Sequence, residues 1–363
     1  MRSCPLSRDL STAIPIDGRG LDGETGWMDA VEVARGRRGA RLLLELALEL
    51  ADPSRPEEHP DLRAPADVLA QRLTASLAAQ PAEELPAEAI ATALESTVRA
   101  AMYWQPPSEE DELGLDPEIR AALQPLVERL ASSPAVEWWT QPLDRDGQYE
   151  VRWSEGDPLA AGGPRPVSEA VRAWSTRVRA WEERLAGKWS DDPWRAPSSD
   201  WWSPPVFAAP ASTRSVDVLD GPVALRLVED GLGWESAQVT RLHPHPEAVV
   251  LEITREADWV DLCRRHPLEV TTTRWRVWAE TTGREGRWVI PDWASVAHEV
   301  DGVHLTVEAY LALAGMTLPV AADSASVIAG WAPDTTYWLT DRIERGDPVR
   351  WTRSSPDDDW APE

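Results

Sequence analysis

The stretch GRWVIPDWASVAHEVDGVHLTVEAYLALAG, Gly286–Gly315, changes its hydrophobic period several times within a few turns of chain. Arg287–Ile290 is a short β-rich run, and Pro291 and Asp292 introduce a helix through Val300. Gly302–Thr306 then alternates as a strand, and Val307–Gly315 returns to helical spacing. Single short helices mixed with hairpin-sized strands predict an α+β fold with short, largely antiparallel strands, not a doubly wound parallel sheet.

Outward from this block the same texture continues. PVALRLVED, SAQVTRL and AVVLEI read as strands, ADWVDLCRRH as a helix, and SVIAGW and TTYWLTD as two closing strands. EVTTTRWRVWAE also reads as a strand, with Trp275, Val277 and Ala279 on one side and Arg274 and Arg276 on the other. These segments define a mixed domain over 206–345, followed by an acidic tail at 346–363. Residues 26–134 carry another signature: Ala- and Leu-rich segments at helical spacing, separated by Pro-marked joins. Leu42, Leu43, Leu46, Leu48 and Leu50 supply one apolar side, Pro86 leads the helix that follows it, and Asp116 is placed to cap a helix opening at Pro117. QPPSEEDELGL between them reads as an acidic loop. Before them, residues 1–25 read as a flexible leader.

Residues 135–205 join the two parts. AVEWWTQP and QYEVRW look like strands, and Ser168 caps a helix striped by Val171, Trp174, Val178, Trp181 and Leu185. After it, WSDDPWRAPSSDWWSPP (Trp189–Pro205) places Trp189, Trp194, Trp201 and Trp202 among prolines and aspartates that forbid regular structure. Clustered indoles on irregular backbone either strap two domains together or line a pocket or partner surface. These four are the candidate ligand- or partner-binding residues.

Composition narrows the function classes. The 363-residue chain carries a net charge of −26, with the acidity spread along it. Direct nucleic-acid binding, which needs a basic stripe, is not expected; an acidic inhibitor imitating nucleic acid is a distant alternative. Two cysteines without a CxxC pair exclude a disulfide framework or a cysteine zinc site. The longest uncharged apolar stretch, Ala309–Ala322, is broken by Gly and Pro and too short for a bilayer, so a cytoplasmic protein without membrane partners is expected. Lys188 is the single lysine and lies in AGKWS, which rules out a Walker-type phosphate loop. Gly18, Gly20 and Gly23 form a GxGxxG, but no strand precedes it and Asp17 and Asp22 would repel a pyrophosphate. His243 and His245 in HPHP have a spacing metals accept, yet they read as a turn, and no metal is expected. His304 should face away from Val303 and Leu305 on its strand, as a surface or hydrogen-bonded histidine.

The block Gly286–Gly315, together with SVIAGWAPDTTYWLTD, resembles a family of uncharacterised proteins from high-GC Gram-positive bacteria over about 248–341. That family brings no established activity. The order of elements is also similar, more faintly, to NAD-consuming ADP-ribosyltransferase domains. That resemblance implies NAD as cofactor, with His304 holding it, Tyr310 covering the nicotinamide, and Asp334 or Glu308 activating an acceptor. The glutamate motif and Ser-Thr-Ser strand of those enzymes are absent. The leading expectation is a two-domain protein that binds a protein or small-molecule partner through its Trp-rich surface without a cofactor. The alternative is an NAD-dependent transferase.

Overall fold

The computed structural model describes residues 30–51, 60–80, 85–153, 166–186, 200–355 and 358–363. The leader with its glycine motif, Lys188, Trp189 and Trp194 lie outside the described residues. The chain is α+β: an N-terminal helical part is followed by a mixed part of helices and short strands.

In the helical part, the leucine-rich segment divides at Gly36 into helices Ala30–Arg35 and Arg37–Glu49. Helices Ala66–Ala79, Ala87–Arg99 and Pro117–Ala131 follow, the last capped by Asp116, whose carboxylate accepts from the amides of Glu118 (2.8 Å) and Ile119 (3.3 Å). The acidic segment read as a loop contains a further helix, Glu109–Leu115. Ser108 caps it, and four acids in its first turn complement the helix dipole. Asp111 turns inward to pair with buried Arg38.

The mixed part contains three four-stranded sheets. One orders the strands Gln148–Trp153, Ser236–Pro244, Ile343–Thr352 and Ala361–Pro362, all antiparallel. A second orders Leu318–Pro319, Ser324–Ser326, Arg287–Pro291 and Pro267–Glu269. The third orders Ala211–Ser212, Thr336–Trp338, Gly302–Leu305 and Val250–Ile253. Two pairings are parallel, Ser324–Ser326 with Arg287–Pro291 and Val250–Ile253 with Gly302–Leu305; the rest are antiparallel. The segment read as an acidic tail therefore supplies sheet, and its Trp360 is buried.

Four segments expected as strands are not; SVIAGW contributes only Ser326 to one. AVEWWTQP is a 3-10 helix, Pro134–Thr140, with proline at its start and Ser133 as its cap. PVALRLVED contains a 3-10 turn, Val223–Leu225. EVTTTRWRVWAE contains the helix Thr271–Thr282, which ends on Gly283 in the left-handed region at φ 73°.

A single apolar core runs through both parts. Leu42, Leu94 and Leu126 of the helices belong to the same buried cluster as Trp259, Trp293, Val303, Leu311 and Trp331. Each such side chain contributes on the order of 2 kcal/mol by burial. Gly36 makes the closest approach possible. A Cβ there would lie 2.2 Å from the carbonyl oxygen of Leu311, so the helix Val307–Leu313 packs directly on its backbone.

A candidate ligand cleft lined by aromatic rings

The segment Asp200–Pro205 has no regular structure, and its backbone is held by donors from the mixed part. Trp278 Nε1 donates to the carbonyl of Trp201 (3.1 Å), Arg274 Nε to that of Trp202 (3.0 Å), and Trp293 Nε1 to that of Ser203 (2.9 Å). These bonds satisfy buried indole N–H groups and irregular backbone together. The anchored segment leaves the rings of Trp201 and Trp202 half-buried, 5.3 Å apart, and Tyr103 of the helical part meets Trp201 at 6.5 Å.

Those rings form part of a cleft of about 530 Å³, within the range of small-molecule sites. Six aromatic side chains line it: Trp153, Trp201, Trp202, Phe207, Trp234 and Tyr337. Trp153 and Trp234 stack face to face at 4.6 Å and 9°. Phe207, the single phenylalanine, meets Trp202 edge-on at 6.0 Å. Its ring is 47% exposed and its φ is 61°, a left-handed conformation that costs a bulky residue about 1–2 kcal/mol. Gly330 forms another wall. Its φ is 73°, and a Cβ there would lie 2.4 Å from the Trp202 ring.

The charges of the cleft have one sign. Among its described lining residues, Glu229 and Asp230 are acidic, and none is Arg, Lys or His. Asp230 accepts from Trp104 Nε1 of the helical part at 2.9 Å. Both carboxyl oxygens of Glu229 are shut off from solvent and close no hydrogen bond of normal geometry. Burial raises its pKa to about 8, against the smaller opposing pull of the Tyr310 hydroxyl, Arg38 and the amides of Gly330 and Trp331.

The residues with a catalytic expectation lie elsewhere. His304 is 1% exposed, on a strand covered on both faces, so the predicted outward side is also interior. Its Nδ1 faces Glu252 Oε2 at 2.5 Å and its Nε2 faces Asp334 Oδ1 at 3.3 Å. Burial lowers its pKa, but hydrogen bonds and charge from Asp334 and Glu252 prevail and raise it, which favours the protonated ring. Asp334 also accepts from Arg214, through the backbone amide (2.8 Å) and Nε (2.6 Å). Arg214 Nη2 in turn donates to the carbonyls of Gln141 and Pro142, and Leu143 N donates to Glu252. The result is a buried clasp that joins the chain just after the 3-10 segment to two strands and to the connections bearing Arg214 and Asp334. Tyr310 is fully buried near Tyr103, away from the cleft lining, and Glu308 is half-buried on the same short helix. The structure thus brings His304 and Asp334 together, but places none of the four in the lining of the cleft.

A second histidine joins a serine and a carboxylate: His266 Nδ1 faces Ser295 Oγ at 2.8 Å, and its Nε2 faces Glu299 at 3.2 Å. Glu299 is exposed and shared with Arg265, and the row lies outside the cleft. His243 and His245 sit at the end of a strand and in the turn after it. Among the described residues, no group of three His, Cys, Asp or Glu is placed to hold a metal ion. No described helix is long and apolar enough to cross a membrane.

No family model matches this chain, and no curated protein or solved structure matches it either. The cleft itself is therefore the functional observation. Of its aromatic lining, sequence reading singled out Trp201 and Trp202 and missed Trp153, Phe207, Trp234 and Tyr337. These rings come from segments far apart in the chain. The weak local signal was a Glu-Asp pair just before Gly233-Trp234 at the close of an apolar run.

Proposed function

We propose that this protein binds a ligand in the aromatic cleft of the mixed part, beside Tyr103 and Trp104 of the helical part. One observation carries the reading: six aromatic side chains from four separate segments converge on an open volume of about 530 Å³. Most other large rings are sealed, among them Trp139, Trp259, Trp278, Trp288, Trp293, Trp331 and Trp338. Aromatic surface left accessible at a concave site is where recognition energy concentrates. The strained, exposed Phe207 at the rim supports the same reading, because such strain collects at ligand clamps. Binding without catalysis is preferred to NAD transfer here. The described lining offers a pyrophosphate two acids and no base, and His304 and Asp334 spend their hydrogen-bonding capacity on each other and on neighbours.

A small-molecule fragment screen read by ligand-observed NMR tests this. Fragments should bind the native chain, and Phe207→Gly should weaken them at least several-fold. That variant removes the rim ring and relieves the left-handed backbone together, so its Tm should hold or rise. Fragments that bind the variant as well as the native chain would overturn the proposal.

A further inference from the structure

The chemistry of the cleft selects a ligand class, an inference that rests on the cleft being a binding site. We infer that it takes an organic cation, a molecule with an apolar or aromatic body and an alkylated ammonium head. Indole and phenol faces carry negative potential and attract soft cations, and a head that bears methyl groups loses little hydration when rings enclose it. Trp153, Trp201, Trp202, Trp234 and Tyr337 supply such surface. Asp230 places a carboxylate in the described lining, where no basic side chain joins it, and the chain as a whole carries −26, which favours a cation. An anion meets no basic side chain in the described lining. The volume of about 530 Å³ exceeds what a bare tetraalkylammonium fills, which leaves room for an attached body.

Glu229 gives this selection a second layer. Its carboxyl oxygens are closed to solvent and lack a hydrogen bond of normal geometry, so its charge is poorly compensated when the cleft is empty. The groups that act on its charge are Tyr310, the Arg38 guanidinium and the amides of Gly330 and Trp331, with Tyr103 and Tyr337 within electrostatic reach. Arg38 is already paired with Asp111. An empty cleft therefore holds Glu229 protonated at neutral pH. A cation arriving nearby favours the carboxylate, and the carboxyl proton leaves to buffer. Ligand binding and proton release become one event.

The test uses benzoylcholine and its neutral isostere, 3,3-dimethylbutyl benzoate, which has carbon in place of the quaternary nitrogen. Neither head exchanges a proton, so any proton released comes from the protein. Calorimetry at pH 7 in buffers of different ionisation enthalpy should show the cation binding at least tenfold tighter than the isostere, with release approaching one proton. Glu229→Gln should abolish the release and most of the preference while keeping the isostere. In the native chain the cation's affinity should rise with pH up to about 8 and then level, as Glu229 becomes easier to ionise, while the isostere's stays flat. This native titration decides the matter if the variant does not fold. Equal binding of cation and isostere overturns the cation assignment and leaves the cleft standing as a binding site. Failure of both probes overturns the assignment, and the cleft reading then stands or falls with the Phe207→Gly fragment screen.

Discussion

His304 shows how one residue's role depends on its surroundings. With both ring nitrogens facing carboxylates and Arg214 paired with Asp334, the imidazole acts as a clasp. Removing it leaves buried Asp334 and half-buried Glu252 short of a partner, which costs about 3–5 kcal/mol. His304→Ala should lower the unfolding free energy measured by chemical denaturation by that amount, while the fraction that remains folded binds cleft ligands normally. A selective loss of binding instead would assign His304 a role at the site. The pH dependence has a definite sign. The folded-state pKa of His304 lies above its ordinary value of 6.5, so its contribution is full below 6.5 and is lost as pH rises through the raised value. Glu229 acts in the same direction: its folded-state pKa of about 8 lies above 4.5, so folding is favoured by the bound proton at low pH and loses that contribution on the way to 8. Stability should therefore decline from about pH 5 to pH 8, and Glu229→Gln should flatten that decline by a few kcal/mol in chemical denaturation.

The helix Thr271–Thr282 carries the lesson at the level of elements. Its sequence, rich in Thr, Trp and Val, has strand propensity, and its first turn contains no acid of its own. The missing charge comes from another helix. Buried Glu182, on Val167–Ala186, accepts from the amides of Thr272 and Thr273 at 2.8 Å each and from the Thr273 hydroxyl. A carboxylate at that end satisfies orphan amides and complements the dipole. Local propensity is outweighed by a contact across ninety residues of chain, with Gly283 as the one terminal signal that was visible locally. Glu182→Gln should keep the fold but lower stability by about 1–3 kcal/mol, with earlier amide exchange in the first turn of this helix. Unchanged exchange there would show that the cap is dispensable.

At the scale of the molecule, the two textures of the chain do not fold around two cores. The leucine helices and the tryptophan-bearing elements share one buried cluster, and Gly36, Arg37 and Tyr103 make close contacts across the boundary. A fragment covering residues 26–134 should therefore be largely unfolded, or bind hydrophobic dyes, because Leu42, Leu46 and Val98 would lose part of their cover. A cooperative, native-like melt of that fragment would contradict the shared core. The indoles are likewise not confined to one seam. Trp259, Trp293 and Trp331 pack mutually within 6.1 Å in the core, while Trp153, Trp234 and Trp360 gather on the outer sheet.

Much of this protein was local and therefore readable. The α+β class follows from short changes of period, and the Asp116 cap and the stripe of Val171, Trp174, Val178 and Leu185 follow from spacing alone. Those properties depend on neighbours a few residues away, where spacing dictates which side chains meet. The helix at Thr271–Thr282, the burial of His304 and the cleft of Trp153, Trp202, Phe207, Trp234 and Glu229 were decided only in three dimensions. Each depends on side chains brought together from distant parts of the chain, and on the dielectric and hydrogen-bond surroundings that packing creates around them. No local pattern encodes those surroundings.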